Sequence, residues 1–299
     1  MDQAISEDIV GTFDWRQLLR DFYDLSKPGI GFYALITTAA AFWLASGPGF
    51  DFVLFINCML ATGLVTCGGG ALNQVIEVGA DSMMHRTENR PLPAGRIPLN
   101  YGLLFGVICS IAGVAYMQIA VGSLASLLAI LTLVGYLFVY TPLKKITSFA
   151  TIVGAFPGAI PILIGWVAVK GDIDIRGWTL FAILFLWQIP HFLAIAWMYR
   201  KDYARAGFPM LTVEDPEGMR TAHQVVVYVI ALLPISLLPT AMGLTGWVYF
   251  FGALVIGLGF CVAGVRTAIV RTNGSAKQLL FASIIYLPVL LALMVFDKI

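Results

Sequence analysis

Nine runs of about 20 predominantly apolar residues constrain this chain more than any single motif does. They fall at about residues 29–48, 52–77, 100–120, 122–140, 149–169, 177–199, 222–242, 246–266 and 277–296. Each is long enough to cross a bilayer as a helix, which satisfies its own backbone hydrogen bonds where no water can. An aqueous fold is excluded by composition. With 59% hydrophobic and 12% charged side chains over 299 residues, polar surface would run out before a core of this size was covered. The expected fold is an all-α polytopic membrane protein, a bundle of nine transmembrane helices. The formal net charge of +1 provides no basic field for a polyanion, so the lipid bilayer is an expected partner and nucleic acid is not. Cys58, Cys67, Cys109 and Cys261 all lie inside apolar runs without a CxxC pair, and read as small core residues rather than zinc ligands or a disulfide framework.

The separators orient the bundle. Fifteen of the 18 Lys and Arg side chains fall with the N-terminus and one set of loops, against Lys170, Arg176 and Lys298 on the other side. The positive-inside rule then puts the N-terminus in the cytoplasm and the C-terminus outside. The opening MDQAISEDIVGTFDW has neither a basic n-region with an apolar h-region nor the Arg-rich character of a transit peptide, so a bacterial inner (plasma) membrane is expected. Residues 1–26 read as a cytoplasmic N-terminal amphipathic segment, with Trp15, Leu18, Leu19 and Phe22 at helical spacing, and residues 27–299 as the nine-helix domain. The loops after the second and sixth runs reach about 20 residues, while the opposite side has short connections. Long polar loops on a compact bundle carry function, which makes the cytoplasmic face the working face.

The end of the second run holds the chemistry. Asn73, Glu77 and Asp81 recur every fourth residue and so share one helix face, about 6 Å apart per step. Carboxylates at membrane depth are costly and mark function. Oxygen ligands in such a row suit Mg²⁺ shared with substrate phosphates, and Arg86 and Arg90 follow as bidentate phosphate donors. An interfacial helix end with solvated ion pairs gives the same spacing. A secondary transporter would also combine many spans with broken helices such as Cys67-Gly68-Gly69-Gly70 and Gly154–Pro161. Its ionisable groups would sit near the bilayer midplane, whereas here they gather at the cytoplasmic ends.

Asn73-Gln-Val-Ile-Glu77-Val-Gly-Ala-Asp81 with Ser82 to Ile97 resembles the first signature of the UbiA-type intramembrane prenyltransferases. Further segments agree in order: Leu25-Ser-Lys27-Pro28-Gly, then Tyr140-Thr-Pro-Leu-Lys144-Lys145, then Trp187-Gln-Ile-Pro190-His191-Phe192 leading to Tyr199-Arg-Lys201-Asp202-Tyr203. The resemblance runs from about residue 25 to 290, and WQIPHF points to the haem branch of the family rather than its quinone or chlorophyll branches. It implies the UbiA-type fold and transfer of a farnesyl group from farnesyl diphosphate to a vinyl group of haem b, the haem being substrate rather than cofactor. It also implies Mg²⁺ and a downstream haem A synthase. A quinone or other aromatic precursor is the alternative acceptor. Under the resemblance Asn73, Glu77, Asp81 and Asp202 become the catalytic and metal-side residues, and Lys27, Arg86, Arg90, Lys144 and Lys201 the diphosphate-side residues. His191, Trp187, Tyr203 and His85 become haem-contact residues, while His223 reads as interfacial. For His191 three roles stand open: the haem iron, a hydrogen bond to propionate or diphosphate, or a contact between helices. The chain departs from the family pattern at Glu77, where many members carry Asp, and in the second loop, where Asp202 stands without further aspartates.

Overall fold

The computed structural model describes residues 14–299, so of the expected N-terminal segment residues 1–13 lie outside the described residues. The described part begins with α1 (Trp15–Leu25), capped by Asp14, whose carboxylate accepts the Arg16 and Gln17 amide hydrogens. Trp15, Leu19 and Tyr23, one turn apart, face outward as an apolar stripe, while Asp21 and Leu25 are buried. Phe22 turns inward and meets Phe105 at 5.0 Å between ring centres. An ion pair from Asp21 to Arg96, 2.8 Å, ties α1 to the loop that follows the second span.

The spans follow in order. They are α2 (Pro28–Ala45), α3 (Phe52–Asp81), α4 (Leu99–Ala120) and α5 (Ser123–Val134), the last continued by a π-helical segment (Gly135–Tyr140) and α6 (Thr141–Leu143). Then come α7 (Ala150–Lys170) and α8 (Ile175–Met198), the short α9 (Arg200–Arg205) and α10 (Leu211–Glu214), and α11 (Met219–Ala241), α12 (Trp247–Val270) and α13 (Asn273–Phe296). Among the described residues nine helical stretches are long and apolar enough to cross a membrane, in agreement with the nine runs. The buried share is highest in α7 and α8, which therefore form the centre of the bundle, while α4, α11 and α12 present more of their surface outward. The outward faces carry exposed Ile, Leu, Val and Phe side chains from end to end, as lipid contact requires.

Two features differ from the runs read off the sequence, and both concern polar residues on helices. The second span does not stop near residue 77. α3 continues to Asp81, so Asn73, Glu77 and Asp81 all stand on regular helix and are all buried. The fourth span ends in six π-helical residues, where the Thr141 amide reaches back to Tyr136 O. π-Helical insertions shift the register of everything beyond them and are frequent at functional sites. Here the shift turns Thr141 inward against Asn73.

Candidate active site

The corner between α1 and α2 is held by α3. Gln74 donates from Nε2 to the carbonyl oxygens of Asp24 (3.0 Å) and Leu25 (2.9 Å). Gly70 lies beneath the corner; a Cβ there would come within 2.7 Å of Ser26 O, so the close approach requires glycine. The turn places Lys27 in the left-handed region, φ 53°, a conformation that costs a non-glycine residue about 1 kcal/mol or more. That strain aims the Lys27 ammonium at Asn73 Oδ1, to which it donates. The Asn73 amide donates in turn to Thr141 Oγ1 (2.8 Å), and Thr141 Oγ1 donates to Tyr136 O (2.8 Å). One hydrogen-bonded chain thus joins the start of α2, the face of α3 and the π-helical end of the fourth span.

The two carboxylates further along that face are each met by a cation. Glu77, 3% exposed, lies against the Lys144 ammonium in a close charge contact. Asp81, 1% exposed, accepts from Arg90 Nη1 at 2.8 Å. Arg90 reaches back because the loop between them is compact: Thr87 Oγ1 donates to Asp81 O at 2.9 Å and the Arg90 amide to Thr87 O at 3.0 Å. The Lys144 ammonium also rests over the Phe208 ring (4.9 Å to its centre) and the Tyr140 ring (5.6 Å). Desolvation and the neighbouring Arg90 charge push the Lys27 ammonium, which precedes the first span, down to about 7. An anion arriving at this corner would restore its charge.

The second loop approaches from the other side. The Asp202 carboxylate faces the first loop, 3.4 Å from the Arg86 amide and 3.4 Å from Arg205 Nη2. The Arg86 guanidinium lies over the rings of Tyr199 (5.1 Å) and Tyr203 (6.0 Å), with the Tyr203 hydroxyl 3.5 Å from Nη2. Burial raises the Tyr203 phenol above its ordinary range, which keeps it a neutral donor.

Beside this rim opens a cavity of about 450 Å³, within the range of small-molecule sites. Its mouth end is lined by Lys27, Tyr140, His191 and Phe192, and its deep end, well inside the helices, by Thr37, Val65, Thr132 and Leu184. Tyr136 and Tyr140 are stacked along one wall, ring centres 5.7 Å apart. Gly158 makes room for Gln188 on another: a Cβ at 158 would lie 2.1 Å from Gln188 Oε1. Trp187 is anchored by its indole N–H to Ser283 O (2.9 Å) and stacks on His191, ring centres 4.9 Å apart.

Most residues expected from the sequence therefore converge. Asn73, Glu77, Asp81, Lys27, Lys144, Arg90, Arg86, Asp202 and Tyr203 form one rim, and His191 and Trp187 line the cavity next to it. Two stand apart: Lys201 is exposed, and His85 is turned to solvent with Glu88 3.4 Å away. Nor do the four metal-side residues close into one shell, since among the described residues no three His, Cys, Asp or Glu side chains come together as a metal-holding group. Asn73, Glu77 and Asp81 do supply an all-oxygen donor row, the chemistry of a hard divalent cation such as Mg²⁺ that shares its shell with phosphate. Sequence reasoning missed Gln74, Thr141, Gln188 and Ser283. Their signal was available in kind, as polar side chains inside apolar runs, but nothing in the sequence paired them with partners.

An all-helical integral membrane protein with a greasy cavity closed at one end by a buried acid–base rim is a receptacle for an amphiphile with an anionic head. Residues 34–287 match the model of the UbiA prenyltransferase family, and the chain belongs to that family. It is similar to the protoheme IX farnesyltransferase of Solibacter usitatus, 44% identical over 94% of this chain and 99% of the relative, and to that of Salinibacter ruber, 41% identical over 94% and 99%. It also resembles the human mitochondrial protoheme IX farnesyltransferase, 36% identical over 95% of this chain and 65% of the relative. Among solved structures, one from a study of digeranylgeranylglyceryl phosphate synthase superposes with a TM-score of 0.79 at 17% identity, over 94% of this chain and 98% of that one. A UbiA homologue of Archaeoglobus fulgidus bound to DMAPP and Mg²⁺ superposes with a TM-score of 0.62 at 14% identity, over 92% and 99%. At such identities these two likenesses show the fold.

Proposed function

We propose that this enzyme transfers the farnesyl group of farnesyl diphosphate to a vinyl group of haem b, at the cytoplasmic face of a bacterial inner membrane and with Mg²⁺. The observation that carries the reading is the join of a cationic and carboxylate rim to a 450 Å³ apolar cavity that reaches deep into the bundle. The names of the relatives at 36–44% identity support the acceptor, and the prenyl diphosphate and Mg²⁺ bound by the Archaeoglobus fulgidus homologue support the donor.

In this reading the diphosphate sits at the rim and the isoprenoid tail fills the deep end of the cavity. Lys27, Lys144 and Arg90 turn from their carboxylate and amide partners toward the phosphate oxygens. Arg86 and Tyr203 reach it from the second loop. Asn73, Glu77 and Asp81 would hold Mg²⁺ from the face of α3, with Asp202 approaching from the second loop, and the ion would supply charge neutralisation on the departing diphosphate. As the allylic C–O bond breaks, negative charge grows on the leaving group inside a preorganised cationic frame, so the frame binds the transition state more tightly than the ground state. The stacked Tyr136 and Tyr140 rings face the developing allylic cation and exclude water from it. The vinyl carbon then bonds to the farnesyl carbon, water adds to the cation left on the acceptor, and one proton is released. The product stays in lipid, where a haem A synthase is the partner we propose to receive it. Residues 27–299 act as one catalytic domain, with α1 lying along the membrane surface.

The acceptor is tested with purified protein, farnesyl diphosphate and Mg²⁺. Diphosphate release is expected when haem b is supplied and not with 4-hydroxybenzoate. Release with the aromatic acid but not with haem would move the assignment to the quinone-type reaction.

A further inference from the structure

His191 reaches the cavity wall with its two ring nitrogens in different surroundings. Nδ1 lies 2.7 Å from Ser283 Oγ on α13. Ser283 Oγ also lies 2.6 Å from Leu280 O, which has no proton to give, so the serine spends its single hydrogen on that carbonyl. Two oxygens this close without a hydrogen between them would repel. Ser283 must therefore accept from His191, and the imidazole proton resides on Nδ1. Nε2 is left as a bare lone pair, with no hydrogen-bond partner among the described residues. The ring cannot readily turn away: Trp187 stacks on one face and Phe192 meets it edge-on with centres 5.7 Å apart. Trp187 is itself pinned to Ser283 O, so one residue of α13 fixes both rings.

A neutral imidazole with Nδ1–H committed to an acceptor and Nε2 free is the arrangement in which histidine binds metals, the outer hydrogen bond fixing the tautomer and raising the basicity of the ligating nitrogen. Building on the proposed function, whose acceptor is an iron porphyrin, we infer that His191 Nε2 ligates the iron of the bound tetrapyrrole and that Ser283 is its positioning residue. The mouth end, where His191 and Lys27 line the same cavity, then holds the porphyrin beside the carbon that leaves the diphosphate. Iron ligation would hold the macrocycle at a fixed depth and tilt beside the reacting centre.

Binding of ferric haem b and of metal-free protoporphyrin IX to the full-length protein in lipid nanodiscs separates the alternatives, read by the Soret band and by electron paramagnetic resonance. The wild type should show an imidazole-ligated haem spectrum and bind haem at least tenfold more tightly than the metal-free ring. His191→Gly should lose that spectrum and that preference, and added imidazole should restore the spectrum. Ser283→Ala should weaken the preference and Ser283→Thr, which keeps the hydroxyl, should retain it. Unchanged haem spectra in His191→Gly, or equal loss of affinity for haem and for the metal-free ring, would overturn ligation while leaving a tetrapyrrole acceptor in place. Failure of the wild type to bind either ring would overturn the acceptor assignment itself, and the ligand with it.

Discussion

Asp81→Asn should lower farnesyl transfer by about 100- to 1000-fold, the loss seen when one preorganised electrostatic contact to a developing charge is removed, while the protein folds to wild-type yield. The side chain keeps its shape and loses only its charge. Folding is spared because the local frame does not depend on the carboxylate: Thr87 holds the Asp81 backbone carbonyl, not the side chain, and the Arg90 side chain, 26% exposed, has water to turn to. Catalysis is not spared. In the proposed reaction Asp81, which pairs with Arg90 at the end of α3, also offers oxygen to Mg²⁺, so its amide form should lose affinity for the metal and leave the diphosphate frame misaligned. Turnover measured against Mg²⁺ concentration, beside yield and thermal unfolding in detergent, checks this. Near-normal turnover would remove Asp81 from the metal-side set.

The second large effect concerns the tail. Thr132 lines the deep end of the cavity, on the span just before its π-helical end, and its hydroxyl is spent on Leu128 O at 2.9 Å. Thr132→Phe therefore costs the site no polar contact and fills the space where the last isoprene unit should lie. Apolar pockets discriminate by about 10- to 200-fold for small changes in chain length. The ratio of turnover with farnesyl diphosphate to turnover with geranyl diphosphate should fall by about 100-fold, mostly through loss of the longer donor. Parallel rates with the two donors measure it, and an unchanged ratio would mean that the tail leaves the bundle by another route.

Membrane residence, span number and the residues of the rim were all legible in the sequence, for a physical reason. Lipid imposes a length of about 20 apolar residues on every span, and it makes each buried charge conspicuous against that background. Asn73, Glu77 and Asp81 stood out in this way, as did Lys27, Lys144 and His191. What the sequence did not disclose is pairing. Gln74 and Thr141 are unremarkable polar residues until α3 brings one beneath the α1–α2 corner and the π-helical turn brings the other onto Asn73. The π-helix itself has no periodic signature over six residues. Ser283 lies 92 positions from His191, and only the packing of α13 on α8 makes them neighbours. Spacing did not show that Lys201 and His85 stand apart from the rim. Lys201 lies on the short α9, on the side facing away from the buried Asp202, and His85 lies in the first loop; both side chains are exposed.

In the proposed function one site grips a prenyl diphosphate by its head, shelters its tail and delivers it to an iron porphyrin. Mass analysis of the porphyrin fraction after incubating the purified enzyme with haem b, farnesyl diphosphate and Mg²⁺ tests it most directly. A haem heavier than haem b by one farnesyl group and one hydroxyl group is expected, formed only when all three are present. Haem b recovered unaltered, while the same preparation prenylates an aromatic acid, would contradict it.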